Sequence, residues 1–253
     1  MTATEYLATL PAVVVNLDKS TDRWAHMNAR VRPYVQSMIR SPGVPKDLLT
    51  ADEVLEFKEK GLATMAAHPE LQINSQDSMN FWRGSLAILK AFTQAIETGA
   101  MLYDRFIVME DDAMINPISI GKAEKPPPDS AVNIWGGALV GGSYAAHFRR
   151  AVEIEKNTWY RIPQTPEGVA RRVSATAVEM DSAIVERWLE IVWAHPMAYD
   201  NAWWFAMMEI PTFVPDAEII PQELELPSIR MPASSALRAK HGRRWREQGL
   251  IQD

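Results

Sequence analysis

The sequence has no cysteine, which excludes disulfides, thiolate nucleophiles and cysteine-ligated zinc. It has no apolar run of about 18 residues, so no segment reads as a membrane-spanning helix. Its first residues, Met1-Thr2-Ala3-Thr4-Glu5, lack the basic start and apolar stretch of a signal peptide, and cytoplasmic residence is the expectation. Gly136-Gly137 and Gly141-Gly142 do not form a phosphate-cradling glycine fingerprint. His147, His195 and His241 show no metal-ligand spacing. Internal repeats and flexible linkers are lacking as well.

What is present suits one α/β domain: 253 residues, 47% of them hydrophobic, can bury one substantial core. The net charge of −6 is unevenly placed. From Arg230 onward six cations face two anions, a tail of +4 that leaves −10 on the rest. Such a division suggests that only the tail meets a polyanion, whether DNA or an anionic membrane surface. A solvated C-terminal helix is the other reading.

Ala12-Val13-Val14-Val15-Asn16-Leu17 is a continuous, β-branched run, as expected of a strand buried on both faces of a parallel sheet. A helix is predicted from Arg23 to Val31 with Ser20 as its N-cap, and a strand followed by a helix indicates an α/β fold. Thr50-Ala51-Asp52-Glu53 is a capping-box pattern that opens a helix through Lys60. Trp82, Leu86, Leu89, Phe92 and Ile96 mark a helix over 81–98, with Gly99 where a stop belongs. Phe106 to Met109 and Val132 to Trp135 read as strands, and Thr158 to Ile162 as another. Asp181 is placed to cap a helix to Ala194, and Asp200 a helix to Glu209. Residues 211–232 read as extended and irregular.

The apolar run Phe106-Ile107-Val108-Met109 ends directly in Glu110-Asp111-Asp112. Three adjacent carboxylates repel one another, and the repulsion must be relieved by protonation, solvent or a cation. At the carboxyl end of an α/β strand, where ligands bind, a divalent metal meets that need. Residues i and i+2 of an extended segment point the same way, so Glu110 and Asp112 are predicted to face one ion. An acidic surface turn is the alternative.

Val13-Val14-Val15-Asn16-Leu17-Asp18-Lys19-Ser20-Thr21-Asp22-Arg23 resembles the opening of glycosyltransferase family 25, known from lipopolysaccharide and lipooligosaccharide synthesis and from collagen galactosylation. Phe106 to Ala113 resembles that family's strand ending in Glu-Asp-Asp, and the preceding helix, with Ser85, its Ser-His helix. Ile134-Trp135-Gly136-Gly137 is similar to its following strand-glycine segment, Ala198-Tyr199-Asp200-Asn201 to its late Asp motif, and Pro221-Gln222 with Ser228-Ile229 to its closing stretch. The matches keep the family's order. Leu86 stands where the family has His, Arg230 where it has Asp, and Ser41-Pro42-Gly43-Val44 matches poorly. These departures mark a divergent branch with a different acceptor, such as a phage-type DNA-modifying member.

The resemblance implies a GT-A-like catalytic domain over residues 1–229 with a mixed, mainly parallel central sheet, followed by the basic tail 230–253. It also implies a nucleotide-diphosphate sugar donor, Mn²⁺ or Mg²⁺, and inversion at the anomeric carbon. The transition state is then oxocarbenium-like, and negative charge grows on the leaving diphosphate. Asp112 is expected to hold the ion, with Glu110 or Asp111 helping. The corner Asn16-Leu17-Asp18 is expected to hold the nucleotide, with Arg23 as its phosphate or base partner unless Arg23 is a surface helix residue. Asp111, Gly136 and Gly137 complete the nucleotide-binding set, the glycines permitting close backbone approach or a moving lid. Asp200 is the candidate base for the acceptor hydroxyl. An ordinary N-cap is its other reading, and Asp181 and Glu179 are its rivals.

The acceptor is a saccharide, as is usual for the family, or a hydroxymethylated DNA base, as the basic tail suggests. A non-catalytic sugar-nucleotide-binding protein is the alternative in a different class, and the intact Glu110-Asp111-Asp112 argues against it. A nucleotidyltransferase would need a glycine-rich, lysine-bearing phosphate loop near the first strand, and the sequence has none. If DNA is the acceptor, Arg238, Lys240, Arg243, Arg244 and Arg246 contact phosphates, and log affinity falls with log salt at a slope of about −4 to −5. Changing Arg243 and Arg244 to Ala then reduces that slope by about 2 and leaves donor hydrolysis unchanged. Salt titrations on hydroxymethylated DNA and on anionic vesicles check this. Preference for vesicles with no glycosylation of the DNA eliminates the DNA acceptor.

Overall fold

The computed structural model describes residues 1–71, 78–136, 159–169, 176–215 and 219–220. The strands among them are β1 (Pro11–Asn16), β2 (Ser37–Pro42), β3 (Arg105–Glu110), β4 (Val132–Gly136), β5 (Trp159–Arg161), β6 (Ala177–Asp181) and β7 (Thr212–Pro215). They form one sheet in the order β2-β1-β3-β6-β4-β7-β5. β1 pairs in parallel with β2 and β3, and β7 in parallel with β4. β6 runs antiparallel to both β3 and β4, and β5 antiparallel to β7. Only β5 and β6 therefore oppose the rest, and the fold is the mixed, mainly parallel α/β class expected. Gly137, Thr158, most of the 211–232 segment, the motif at Pro221-Gln222 and Ser228-Ile229, and the tail 230–253 lie outside the described residues.

The helices are α1 (Ala3–Leu7), α2 (Thr21–Arg30), α3 (Ala51–Ala67), α4 (Met79–Leu102), α5 (Pro117–Lys122), α6 (Pro166–Val169), α7 (Val185–Ala194) and α8 (Tyr199–Glu209). They cover both faces of the sheet. Val13, Phe106, Val108 and Ile134 pack into a core with α3, α4, α7 and α8. Ala12, Val14, Ile107 and Met109 pack on the other face with α1, α2 and α5. Alternation along a strand sends successive side chains to opposite faces, so burial on both requires the uninterrupted apolar runs seen in β1 and β3.

Local signals in the sequence account for several helix starts. Thr50 and Glu53 form the full reciprocal capping box, and α3 runs past Lys60 to Ala67. Asp181 accepts from Ala183 N and caps the short 3-10 turn that leads into α7. Two expected caps differ. Ser20 occupies the N-cap position of α2, but its side chain makes no capping bond. α8 begins at Tyr199 with Ala198 as N-cap, so Asp200 lies inside the first turn and is not the cap.

Gly99 does not end α4, which continues to Leu102. Its role is contact across layers: a Cβ there would meet the Phe106 ring 2.2 Å away, so glycine lets α4 lie close on β3. Among the described residues no helix is long and apolar enough to cross a membrane.

β1, β2 and β3 are parallel and end at one edge of the sheet. Asp181 faces Arg105, the first residue of β3, and so lies at the opposite edge. α7 starts beside Asp181, and Arg187 near its start pairs with Glu209 at the end of α8, so the two helices are antiparallel. α8 ends just before Thr212, which pairs with Val132 at the start of β4. The first turn of α8, with Tyr199 and Asp200, thus points toward the edge where β1 and β3 end.

Ala in place of a helical Gly ordinarily gains about 1 kcal/mol. Here the added methyl must displace a buried ring, so Gly99→Ala should instead lower the free energy of unfolding by about 1–3 kcal/mol. Urea denaturation checks the sign, and a gain in stability would contradict the close approach of α4 to β3.

Candidate functional site

The extended backbone of β3 stops at Glu110. Asp111 and Asp112 form a turn closed by the Ala113 N–H donating to Glu110 O at 3.2 Å. The expected i, i+2 alternation therefore does not govern Glu110 and Asp112, because the second residue is no longer in the strand. The turn is fixed from two sides. Glu110 N donates to Thr176 O at 2.9 Å. His26 Nε2 lies 3.3 Å from Ala113 O, and since a carbonyl only accepts, this nitrogen carries the proton.

Arg23, on the first turn of α2, relieves the repulsion of the acidic turn. Its Nη1 lies 2.5 Å from Asp111 Oδ1 and 3.3 Å from Asp112 Oδ2. The Arg23 and Asp111 side chains are only 9% and 10% exposed, so Arg23 is not a surface helix residue. Asn16, at the end of β1, donates through Nδ2 to Asp111 Oδ2 at 2.8 Å and to Ser20 O at 3.1 Å. Its Oδ1 accepts from Arg40 Nε at 2.8 Å. A guanidinium only donates and a carboxylate only accepts, so these partners settle which way the amide points. Arg40 also donates to Asp18 Oδ1 at 2.7 Å.

Five sequence-predicted residues, Asn16, Asp18, Arg23, Asp111 and Asp112, thus meet in one network. Leu17 sits between them, and Gly43 packs against it: a Cβ on Gly43 would lie 2.9 Å from Leu17 Cδ2. The sequence reading missed Arg40 and His26. The signal for Arg40 was faint, since β2 has no β-branched run and only its mixed alternation marks it as an edge strand.

Asn16 is 1% exposed, with both polar ends of its side chain engaged inside the protein, so it braces the corner. Gly136 is likewise engaged in packing. Residues 219 and 220 cross over it, donating to Trp135 O at 3.1 and 3.0 Å, and a Cβ on Gly136 would lie 1.8 Å from Ile220 O. Close backbone approach is the role this geometry gives it.

The donor set bears on the metal as follows. Asp111 has both oxygens occupied, by Arg23 and Asn16. Glu110 and Asp112 are half-buried at the strand edge. Among the described residues no cluster of three or more His, Asp or Glu has metal-binding geometry. Two carboxylates fit a Mg²⁺-like ion that completes its shell from substrate phosphates and water, not an all-protein cage.

Of the candidate bases, Asp200 lies in the first turn of α8, the end of that helix directed toward this edge. Asp181 is at the opposite edge and serves as a cap. Glu179, in mid-β6, is fully buried and accepts from Tyr6 OH at 2.6 Å, Asn133 Nδ2 at 3.0 Å, Trp135 Nε1 at 2.7 Å and Arg105 Nε. Burial and the neighbouring Glu179 charge push the Tyr6 hydroxyl well above its usual range, so it stays a neutral donor. Burial opposes the charge on Arg105, but the Glu179 carboxylate outweighs it and the net shift is upward. Four donors on an inaccessible carboxylate make a structural pin.

Glu179→Gln should therefore lower the unfolding free energy by about 2–4 kcal/mol, because the amide replaces a buried acceptor oxygen with a donor facing Asn133 or Trp135 and removes the nearer of the two carboxylates that pair with Arg105. Equilibrium denaturation measures it. Unchanged stability with lost turnover would return Glu179 to the list of bases.

No protein-family model matches the chain, and no curated protein matches it. Among solved structures, it is similar to a glycosyltransferase involved in the glycosylation of the major capsid of PBCV-1, with 13% identity and a TM-score of 0.42 over 92% of this chain and 98% of the other. It is also similar to the inositol-1-phosphate CTP transferase from T. maritima, with 11% identity and a TM-score of 0.37 over 92% of this chain and 94% of the other. Likeness of this degree carries no assignment of activity.

Proposed function

We propose that the chain is a metal-dependent glycosyltransferase that moves a sugar from a nucleotide-diphosphate sugar to an acceptor hydroxyl, with inversion. One observation supports the reading above all: the acidic turn after a central strand is held against an arginine from the first strand–helix unit. The segments that meet there, 13–23 and 106–113, are two of those that resemble family 25.

In this reading Asp112, assisted by Glu110, holds Mn²⁺ or Mg²⁺. When bound, such an ion offsets the charge that grows on the leaving diphosphate. Arg23 offers a second positive charge to the same phosphates. Leu17 and Asp18 lie beside it as the nucleotide-facing lip, with Asn16 and Asp111 bracing the corner from behind. Asp200, from the first turn of α8, takes the proton of the attacking hydroxyl, so that the acceptor oxygen reaches the anomeric carbon with its lone pair free. The acceptor is a saccharide or a hydroxymethylated base, depending on what the tail binds.

Asp112→Asn and Asp200→Asn test the two roles. Each should reduce turnover of a nucleotide sugar by on the order of a hundredfold or more, with the melting temperature unchanged. Chelation should act like the first substitution on the parent protein. Donor screening with released nucleotide as the readout supplies the assay. Full activity in a chelator would end the metal-dependent reading, and full activity of the Asp200 variant would remove that residue from the mechanism.

A further inference from the structure

Two histidines far apart in the chain, His68 and His195, meet where α3 and α7 end, each following the last residue of its helix. Their ring centroids lie 5.9 Å apart, with the planes inclined at 68°. Phe205, on α8, holds both rings: it stacks on His195 at 4.0 Å and meets His68 edge to face at 5.0 Å. The backbone beneath is closely packed, since a Cβ on Gly61 of α3 would lie 2.7 Å from Pro196 O. No spacing in the sequence joins these two residues, so the pair exists only in the fold.

Each ring spends Nδ1 on the protein. His195 Nδ1 lies 2.9 Å from Ile191 O, and since a carbonyl only accepts, this nitrogen carries the proton. His68 Nδ1 lies 3.1 Å from Glu70 Oε1. The Glu70 carboxyl is held below its usual range by its own backbone N–H and by His68, so it too is the acceptor. In a neutral imidazole protonated at Nδ1, Nε2 keeps its lone pair. Among the described residues neither Nε2 makes a hydrogen bond. A carboxylate or carbonyl behind Nδ1 is the arrangement that orients histidines which bind metal through the other nitrogen. Both rings also stand at helix C-termini, where the partial negative charge of the last carbonyls favours a cation. The His68 side chain is 35% exposed, so an ion can reach it from solvent.

We propose that His68 and His195 bind one Zn²⁺ ion through their Nε2 atoms, at a site separate from the acidic turn. A Zn–N bond of about 2 Å places the ion about 3 Å from each ring centre, so two rings on one ion lie about 5–6 Å apart, as these do. Among the described residues no cluster of three or more His, Asp or Glu has metal-binding geometry, so the protein gives two ligands and water completes the tetrahedral shell. Imidazole suits Zn²⁺, whereas Mg²⁺ and Mn²⁺ prefer oxygen. The ion ties the end of α3 to the end of α7. His195 is followed, after Pro196-Met197-Ala198, by the first turn of α8 with Asp200. Bound Zn²⁺ therefore braces the segment that leads to the candidate base.

The test is titration of the full chain with ZnCl₂, by calorimetry and by thermal unfolding, in an excess of Mg²⁺ that keeps the acidic turn out of the readout. At a hundredfold excess over its dissociation constant, Zn²⁺ should raise the melting temperature by roughly 5–10 °C. His68→Gln and His195→Gln should each weaken Zn²⁺ binding on the order of a hundredfold or more. Glu70→Ala keeps both ligands but releases the His68 ring, and should weaken it on the order of tenfold. A merely structural role of the histidines lowers the melting temperature of the variants equally with and without Zn²⁺. Should His195→Gln fail to fold, His68→Gln and Glu70→Ala carry the test, because both of those side chains are partly exposed. Zn²⁺ binding that His68→Gln leaves unchanged overturns the site, and so does a parent chain that Zn²⁺ does not stabilise at submillimolar concentration. Either result leaves the reading of the acidic turn as it stands.

Discussion

The ion pair between Arg23 and Asp111 joins the start of α2 to the turn after β3, and the whole candidate site is arranged around it. Both partners are almost fully removed from water. Buried charge at a strand end would destabilise the sheet unless it were paired and hydrogen-bonded, so each neighbour is constrained by this requirement. Asp111 needs a second donor and receives it from Asn16. Asn16 then needs a donor for its other end and receives it from Arg40. The chain of requirements runs across β3, β1 and β2, and it opens to solvent at its far end, where Arg40 is 33% and Asp18 84% exposed. A polar relay in this setting orders three strand ends into one surface.

The relay also divides the labour among three adjacent carboxylates. Asp111 is turned inward and saturated. Asp112 keeps a partly exposed face, and Glu110 closes the strand with its backbone on Thr176. A run of like charges so becomes one buried structural anchor and two half-buried groups beside it, which no position-by-position reading of Glu-Asp-Asp distinguishes.

What the sequence made legible was local. The β-branched run at Val13-Val14-Val15 had to be a doubly buried strand, and Thr50 with Glu53 had to start a helix, because both depend on neighbours in the chain. The acidic turn was legible for the same reason, since an apolar run led straight into it. β2 was not, because Ser37-Met38-Ile39-Arg40-Ser41-Pro42 lies at the sheet edge, where packing asks little of composition. Nor was the division between Glu179 and Asp200. The donors that immobilise Glu179 come from residues 6, 105, 133 and 135, and nothing near position 179 announces them. Gly99 reads as a helix stop in one dimension and is a contact point in three, whereas at Gly136 the close backbone approach expected as one of two roles is the one found.

The bond from Tyr6 to Glu179 spans 173 residues. α1 precedes every other described helix in the chain, yet the carboxylate that receives Tyr6 lies in β6, after five of the other six strands. At roughly 5–20 residues per second, the N-terminal helix waits on the order of ten to thirty seconds for it. Trp135, which stacks on Tyr6, and Ala123, whose carbonyl takes the Ala3 N–H, arrive earlier and offer only a partial seat. The layer built on α1 is therefore a late-closing one, and the price of pinning it with a distant buried charge is an apolar face left uncovered on the nascent chain until β6 is in place.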